Sequence, residues 1–335
     1  MGATWVIIVN YRTAELTINC LRALSAQVAD LGGGRVVVVD NDSGDGSVAK
    51  LTAAIEHEGW AGWAGVMSLE RNGGFAYGNN AGIRSALASP DYVEYVMLLN
   101  PDTVAREGAV RALVGFMDGH PRAGIAGSLL EYTDGSVRCS AFRIHSPLSE
   151  LEAGARVGLL SRLLHRYVVW GSPGTEAHQC DWVSGACLIM RREAIEQLGL
   201  MDDGYFLYFE EADYCWRAKQ AGWEVWYAPQ SRVMHLEGAA TGINAAAKRR
   251  AGYWYDSRRR FFVKHYGVTG LVLADMLWAV GRVICLLHRL LRRLLRPGRR
   301  GANDPKWFMF DLLWGDLRAI LTGRAWSVSR AGKRP

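Results

Sequence analysis

The chain has 335 residues, with 39 Lys and Arg against 33 Asp and Glu and a formal net charge of +6. Half of it is hydrophobic and 21% is charged, which excludes a collagen, a disordered tail and a disulfide-stapled miniprotein and suits one large domain or two modest ones. The charge is uneven: residues 1–245 hold 19 Lys and Arg against 28 Asp and Glu, and residues 246–335 hold 20 against 5. An acidic body followed by a basic tail directs the tail toward a polyanion or a membrane surface. Cys20, Cys139, Cys180, Cys187, Cys215 and Cys285 form no C-x-x-C pair and no zinc spacing, so they read as thiols of a reducing compartment. The N-terminus opens into an apolar run, Trp5 to Val9, without a basic n-region or cleavage site, and no secretory signal is expected.

Strand-like runs at 4–10, 36–40, 64–69, 92–99 and 123–130 alternate with helical patterns at 13–27, 47–58, 75–88 and 106–118. In the first helix Leu16, Cys20, Leu21 and Leu24 share a face behind Thr13 as N-cap. This rhythm predicts a parallel sheet with right-handed crossovers, and in such sheets ligands gather at the carboxyl ends of the strands. From 132 to 180 the pattern blurs. A Thr133-Asp134-Gly135 turn predicts a hairpin, and 148–169 reads as an amphipathic helix with no functional reading. The block 180–238 ends in a strand-like run at 223–234, and helical stretches follow at 243–265 and 270–296.

The strand ends carry the chemistry. The first ends in Asn10-Tyr11-Arg12. The second breaks into Asp40, Asn41, Asp42 and Ser43, acceptors for a pyrimidine imide or a ribose hydroxyl, or an Asx-turn capping the next helix. In RNGGFAYGNN (71–80), Gly73, Gly74 and Gly78 let backbone approach a ligand while Arg71 can meet phosphate. No G-x-G-x-x-G dinucleotide fingerprint follows the first strand. Asp102, two residues past the fourth strand and held by Pro101, suits a divalent cation that bridges a diphosphate, or caps a helix over 103–118. Glu210, Glu211 and Asp213 crowd three carboxylates into four residues, which raises at least one pKa as a general base requires. Acidic residues at a solvated helix N-terminus are the other reading.

Together VIIVNY (6–11), VVVVDNDSGDGS (36–47), RNGGFAYGNN (71–80), LLNPD (98–102), DWVSGACLIMRR (181–192), YFLYFEEADYCWR (205–217) and the His of VMHLEG (233–238) resemble the family 2 glycosyltransferases of the GT-A fold, especially their rhamnosyltransferase-like branch. The resemblance covers roughly residues 4–265. It implies inverting transfer from a nucleoside-diphosphate sugar to an acceptor hydroxyl, with Mg²⁺ or Mn²⁺ as cofactor. Asp102 resembles the last carboxylate of the family's D-x-D motif, and His235 the histidine that completes the metal site. Asp40 resembles the base-reading carboxylate. Asn10, Tyr11, Asp42, Arg71, Asn72, Gly73, Asn79 and Asn100 would complete the donor site with it. Glu211 resembles the catalytic base. Trp182, Ser184, Gly185, Glu210 and Asp213 would wall the acceptor side, core packing being the alternative for Trp182. Two departures stand out: the D-x-D is here Asn100-Pro101-Asp102, and the usual Glu-Asp pair is Glu210-Glu211.

In the tail, Arg282, Arg289, Arg293, Arg296 and Arg300 form one helical stripe. Leu286, Leu287, Leu290, Leu291, Leu294 and Leu295 fill much of the rest. The stretch 270–281, apolar except for Asp275, has 12 residues and is shorter than the roughly 20 residues of a bilayer crossing. The expected partner is therefore an anionic membrane surface, with packing onto the catalytic domain or a second subunit as the alternative and a homo-oligomer left open. Nucleic acid is a poorer partner, since no recognised module accompanies the charge. The expectation is a GT-A catalytic domain over 1–242, its nucleotide-binding half about 1–130 and acceptor half about 131–242. A helical membrane-associating region follows over 243–335. The enzyme would sit peripherally at the cytoplasmic face of the membrane. It would move L-rhamnose from dTDP-rhamnose to a polyprenyl-linked or polysaccharide acceptor in cell-surface glycan synthesis. A UDP-hexose donor, or a non-catalytic nucleotide-sugar or membrane scaffold, are the rivals.

Overall fold

A computed structural model describes residues 2–171, 174–236, 249–295 and 305–325, with the side chains of Arg293 and Leu295 outside the described set. The chain forms two compact units, Met1–Phe142 with Ser172–Asn244 and Arg143–Gly171 with Ala245–Pro335. The expected boundary near 242 therefore misses one excursion. Residues 143–171, read with the catalytic domain, cluster with the C-terminal helices.

The first unit opens with β1 (Thr4–Asn10), α1 (Ala14–Ser25), β2 (Val36–Asp40), α2 (Ser47–His57), β3 (Ala64–Ser68), α3 (Phe75–Leu87) and β4 (Tyr95–Leu99). β5 (Thr103–Ala105), α4 (Ala109–Gly119), β6 (Ala123–Glu131), β7 (Val137–Arg138) and β8 (Ala141–Phe142) follow. The second unit then takes α5 (Pro147–Ala155) and α6 (Gly158–Leu163). The chain returns to the first through β9 (His178–Gln179), β10 (Trp182–Val183), β11 (Cys187–Arg191), α7 (Arg192–Leu198), α8 (Glu210–Gln220) and β12 (Glu224–His235). It finishes in the second with α9 (Gly252–Leu295) and α10 (Phe308–Leu321).

The main sheet runs β3-β2-β1-β4-β11-β6-β12-β5. β1 to β4 are parallel, β11 is antiparallel to both its neighbours, and β12 is parallel to β6. Both faces are covered. Val6, Ile8, Val36 and Val38 pack with α1, α2 and α4, whereas Ile7, Val37 and Val39 pack with α3 and α8. Burial on both sides explains why these strands read as unbroken apolar runs rather than alternating ones. The order reverses between β1 and β4, so their ends part into the crevice where such sheets bind ligands. Residues 103–105, expected within a capped helix, instead form β5 on the edge of β12, with Thr103 opposite His235.

In the second unit the single helix expected over 148–169 breaks into α5 and α6 where Arg156 turns left-handed (φ 49°). The two expected tail helices are both present within α9, meeting at a kink where Gly267 leaves the helical region (φ 73°, ψ 177°) between 265 and 270. α5 crosses α9 closely: a Cβ on Gly154 would strike the Trp278 carbonyl, and one on Gly281 the Leu151 carbonyl. Tyr255, Trp278 and Leu312 form a small core joining α9 to α10. The buried Arg258 guanidinium donates to Glu150 Oε2 (2.9 Å), Asp275 Oδ1 (2.8 Å) and Asp316 Oδ2 (3.0 Å). Arg282 does not belong to an exposed arginine stripe. It is only 9% exposed, and its guanidinium lies against Cys285. Arg296 and Arg300 lie outside the described residues.

Candidate active site

The loops after β1, β2 and β3 are knitted by side chains. Asn10 Nδ2 donates to Asp40 Oδ2 (2.7 Å) and to Ser43 Oγ (3.2 Å), and Asn10 Oδ1 accepts from Thr13 and Thr17. Asp40 also accepts from the Ser43 amide and hydroxyl (3.0 and 2.6 Å). Arg12 closes the ring by donating its amide to Ser43 Oγ and its Nε to the Ser43 carbonyl. Asp40 is thus 1% exposed and occupied with shaping the loop, which leaves Asp42 as its open carboxylate. Arg12 (φ 57°) and Asp42 (φ 59°) adopt the left-handed region, a conformation of order 1–2 kcal/mol above the ordinary one that this network holds in place.

The β3–α3 loop joins from the side. Asn41 Nδ2 bonds Asn72 Oδ1 and the Gly74 carbonyl, both at 3.0 Å, and the Gly74 amide returns to Asn72. Gly74 (φ 89°) lies so close to Phe206 that a Cβ would overlap its carbonyl oxygen, while the Phe75 amide donates to that same oxygen at 2.8 Å. The glycine-rich run is therefore clamped to the loop that leads into α8. Arg71 and Tyr11 are exposed, Arg71 over the Tyr77 ring at 4.6 Å.

The fourth strand end meets β12. His235 Nε2 lies 3.2 Å from Asp102 Oδ1, and the Leu236 amide donates to the Asp102 carbonyl. Arg138 Nη1 stands 3.4 Å from His235 Nδ1. A guanidinium only donates, so one tautomer satisfies both contacts, with Nδ1 accepting from Arg138 and Nε2 donating its proton to Asp102. Ligation through Nε2 would move that proton to Nδ1 and end the Arg138 contact. Asn100 Oδ1 is buried with no hydrogen-bond partner. A carboxylate and an imidazole at hydrogen-bond distance, with an unsatisfied amide oxygen two residues before the carboxylate, fit a hard divalent cation that takes its other ligands from phosphate. Among the described residues no three His, Cys, Asp or Glu side chains gather as a complete metal shell.

β11 carries this strand end to α8. The Asn100 amide donates to the Ala186 carbonyl (2.9 Å), and the neighbouring Gly185 amide donates to the Glu211 carboxylate. A Cβ on Gly185 would stand 3.7 Å from Glu211 Oε1, so the turn lies directly on the glutamate. Burial pushes Glu211 above the ordinary carboxylate range. It pushes Glu210 well above it, with the charge of Glu211 beside it as the next cause. Glu210 Oε2 and Glu211 Oε2 are buried without partners. Tyr208 (φ 73°) and Phe209 (φ 70°) carry the left-handed turn that aims α8.

Three expected site residues have other duties. Asn79 is buried and donates back to the Phe75 carbonyl within α3 (2.9 Å). Asp213 is buried beneath Tyr205 and pairs with Arg217, whose guanidinium also caps the Leu198 and Leu200 carbonyls. Trp182 stacks on Phe142 with centroids 4.1 Å apart, in the two-stranded β8–β10 ribbon. Ser184 Oγ accepts from the Ala186 amide, tightening the turn. Sequence reading passed over Asn80, which pairs in both directions with the Met201 backbone (2.8 and 3.0 Å) and so fixes the start of the α8 loop. It also passed over Arg138. Asn80 stood in the quoted run; a 100° helical step separates it from Asn79, and that step was the available signal.

Comparison with known proteins agrees with this geometry. The family model "Glycosyl transferase family 2" matches residues 5–199. An N-acetylglucosaminyl-diphospho-decaprenol L-rhamnosyltransferase of Mycobacterium tuberculosis is 29% identical over 79% of this chain and 86% of its own. The low-salt glycan biosynthesis hexosyltransferase Agl10 of Haloferax volcanii is 27% identical over 64% of this chain and 61% of its own. Among solved structures, the mannosyltransferase PcManGT of Pyrobaculum calidifontis, in complex with GDP-Man and Mn²⁺, superposes with a TM-score of 0.54. It is 16% identical and covers 99% of this chain and 84% of its own. TarS 1–349 of S. aureus with UDP-GlcNAc gives 0.54 at 15% identity, covering 99% and 89%. These neighbours share the GT-A fold. With its family model matched over more than half its length, the chain belongs to glycosyl transferase family 2 and is a glycosyltransferase.

Proposed function

We propose that the protein transfers L-rhamnose from dTDP-L-rhamnose, with inversion, to a hydroxyl of a glycan on a polyprenyl diphosphate carrier at the cytoplasmic face of the membrane. The observation that carries the chemistry is Glu211, a buried carboxylate with one unpartnered oxygen on the Gly185 turn, one residue from the backbone bond to Asn100. The Mycobacterium tuberculosis relative, named for an L-rhamnosyl transfer to a decaprenyl diphosphate glycan, supports the donor and acceptor class.

Glu211 accepts the acceptor hydroxyl proton as that oxygen attacks the anomeric carbon. The bond to the diphosphate breaks on the opposite face, so the anomeric configuration inverts. A pKa raised by burial makes Glu211 a stronger base than a solvated carboxylate. The Gly185 amide holds the carboxylate for the incoming hydroxyl. The Asn10–Asp40–Ser43 ring and the Asn41–Asn72 bond shape the cradle for the nucleoside, with Asp42, Tyr11 and Arg71 as its exposed groups. Asp102 and His235 would hold Mg²⁺ or Mn²⁺, which when bound neutralises charge developing on the diphosphate.

A donor panel of dTDP-L-rhamnose, UDP-hexoses and GDP-mannose, read by released nucleoside diphosphate with a lipid-linked acceptor, tests this. Turnover should favour dTDP-L-rhamnose, stop in EDTA and return with Mn²⁺. Preference for a UDP-hexose would overturn the donor, full activity in chelator the metal, and silence with every donor would favour the scaffold reading.

A further inference from the structure

Unit 2 carries apolar side chains that its own packing leaves uncovered. Along α9, Leu273, Met276, Val280, Val283, Leu287, Leu290 and Leu294 recur at alternating steps of three and four, each 48–74% exposed. The second helix repeats the pattern: Trp307, at its N-cap, then Phe310, Trp314, Leu317 and Leu321 share the spacing and are 46–75% exposed. Their rings form a ladder, Trp307 edge-on to Phe310 and Phe310 stacked on Trp314. The inward faces are already spent, with Trp278 and Leu312 in the shared core and Asp275 and Asp316 on Arg258. Soluble monomers rarely expose so much contiguous apolar surface.

Three occupants compete. α9 is long and apolar enough to cross a bilayer by length and composition. A spanning helix, however, would carry into the lipid the α5 backbone pressed on Gly281 and the Arg258 cluster fixed to Asp275. The three-four spacing also suits a coiled coil with a second copy. Against that, residues 276–303 contain seven arginines and no acidic residue, so a self-paired helix sets arginine against arginine. An anionic lipid surface meets both features at once. Arg289 and Arg292 flank the leucines, and indole rings favour the boundary between headgroups and acyl chains.

We propose that the exposed seams of α9 and α10 lie in the plane of an anionic phospholipid bilayer, inserted into its interfacial layer, and hold the protein there without spanning it. This goes beyond the transfer reaction and stands or falls independently of the donor. The test uses the full chain with phosphatidylglycerol-containing and purely phosphatidylcholine vesicles. Wild type should sediment with the anionic vesicles and be released by alkaline carbonate. Leu287→Gln with Leu290→Gln should lower partitioning by about 100-fold, roughly tenfold per side chain withdrawn from lipid. Phe310→Gln with Trp314→Gln should lower it about tenfold or more. Both variants alter half-exposed side chains, so thermal transitions and donor turnover with a water-soluble acceptor should stay at wild-type values, which separates a failed docking surface from a failed enzyme. Indifference of wild type to anionic vesicles, resistance to carbonate, or unchanged binding by the α9 variant would overturn the proposal. So would a lipid-free dimer that the α9 variant converts to monomer, because the second copy would then own the seam.

Discussion

Glu211 and Glu210 stand one position apart, and substitution distinguishes the proposed base from its neighbour. Glu211→Gln keeps shape and removes basicity, so kcat should fall by about 10²–10⁴-fold with donor KM little changed. Damage of that size from Asp213→Asn would contradict its place under Tyr205. The pH profile carries a second outcome. The folded pair holds its protons above the usual 4.5, because burial disfavours ionisation of both and the charge of Glu211 disfavours that of Glu210 further. Between that value and the raised ones the folded chain binds more protons than the unfolded chain, so stability falls as pH rises. Glu210 titrates above Glu211, so it is already neutral while Glu211 ionises. Glu210→Gln should therefore leave the acid limb of kcat in place, and the melting temperature at neutral pH should rise. A limb that moves with this substitution would reverse the assignment of the pair. Residue types at this site were legible in the sequence, but their directions were not. The VDNDS run contains two carboxylates, and only the backbone turn at Asp42 decides that Asp40 is folded inward while its neighbour faces out.

Elements were more legible than side chains, because continuous burial on both sheet faces writes long apolar runs and close packing writes glycine. Gly82 and Gly78 let α3 settle on Ile7 and Val9 of β1, where a Cβ would overlap their side chains. Gly82→Ala therefore gains about 1 kcal/mol of helix propensity and loses about 1–3 kcal/mol to overpacking, a net destabilisation measurable by urea titration. Gly74→Ala is harsher. Its φ of 89° and the Phe206 oxygen both refuse a Cβ, so the clamp between the glycine loop and the α8 entry should open. Transfer should fall more than stability does, and equal losses in both would mean the clamp is only structural. Illegible were breaks set by one residue: Arg156 between α5 and α6, and the extended short strand at Thr103, which exists because β12 offers an edge to pair with. No local pattern announces a partner 130 residues away.

For the molecule as a whole, the second unit's cohesion depends on charge arithmetic. Arg258 and Arg259 face Glu150, Asp275 and Asp316, two cations against three carboxylates. The cluster balances when one carboxyl keeps its proton, and burial, opposed by Arg258, raises Asp275 from 3.8 to about 7. Across that window the folded state holds the extra proton, so this cluster's contribution weakens as pH climbs from 3.8 to about 7 and then levels off. Asp275→Asn should flatten the dependence and raise stability above pH 7. Arg258→Leu strands Glu150 and Asp275, leaves Asp316 to Arg259 alone, and should cost about 3–5 kcal/mol.

The same cluster ties Glu150 to Arg258, 108 positions later, and to Asp316 near the far end of the described chain. Because the chain leaves the first unit at 143 and returns to it after 171, the second unit is built from two separate stretches of sequence. A ribosome finishes every strand of the sheet before it supplies α9 and α10. The nascent enzyme thus has its catalytic unit complete while α5 waits without the helices it packs on. Trimming the tail at 242 would freeze the protein in that waiting state, with the face around Gly154 open and Glu150 unpaired. Such a truncated chain should be recovered as aggregate, whereas removal of 143–171 together with the tail should restore solubility. Synthesis order, in this chain, delays the surface proposed to meet lipid until the catalytic unit is already made.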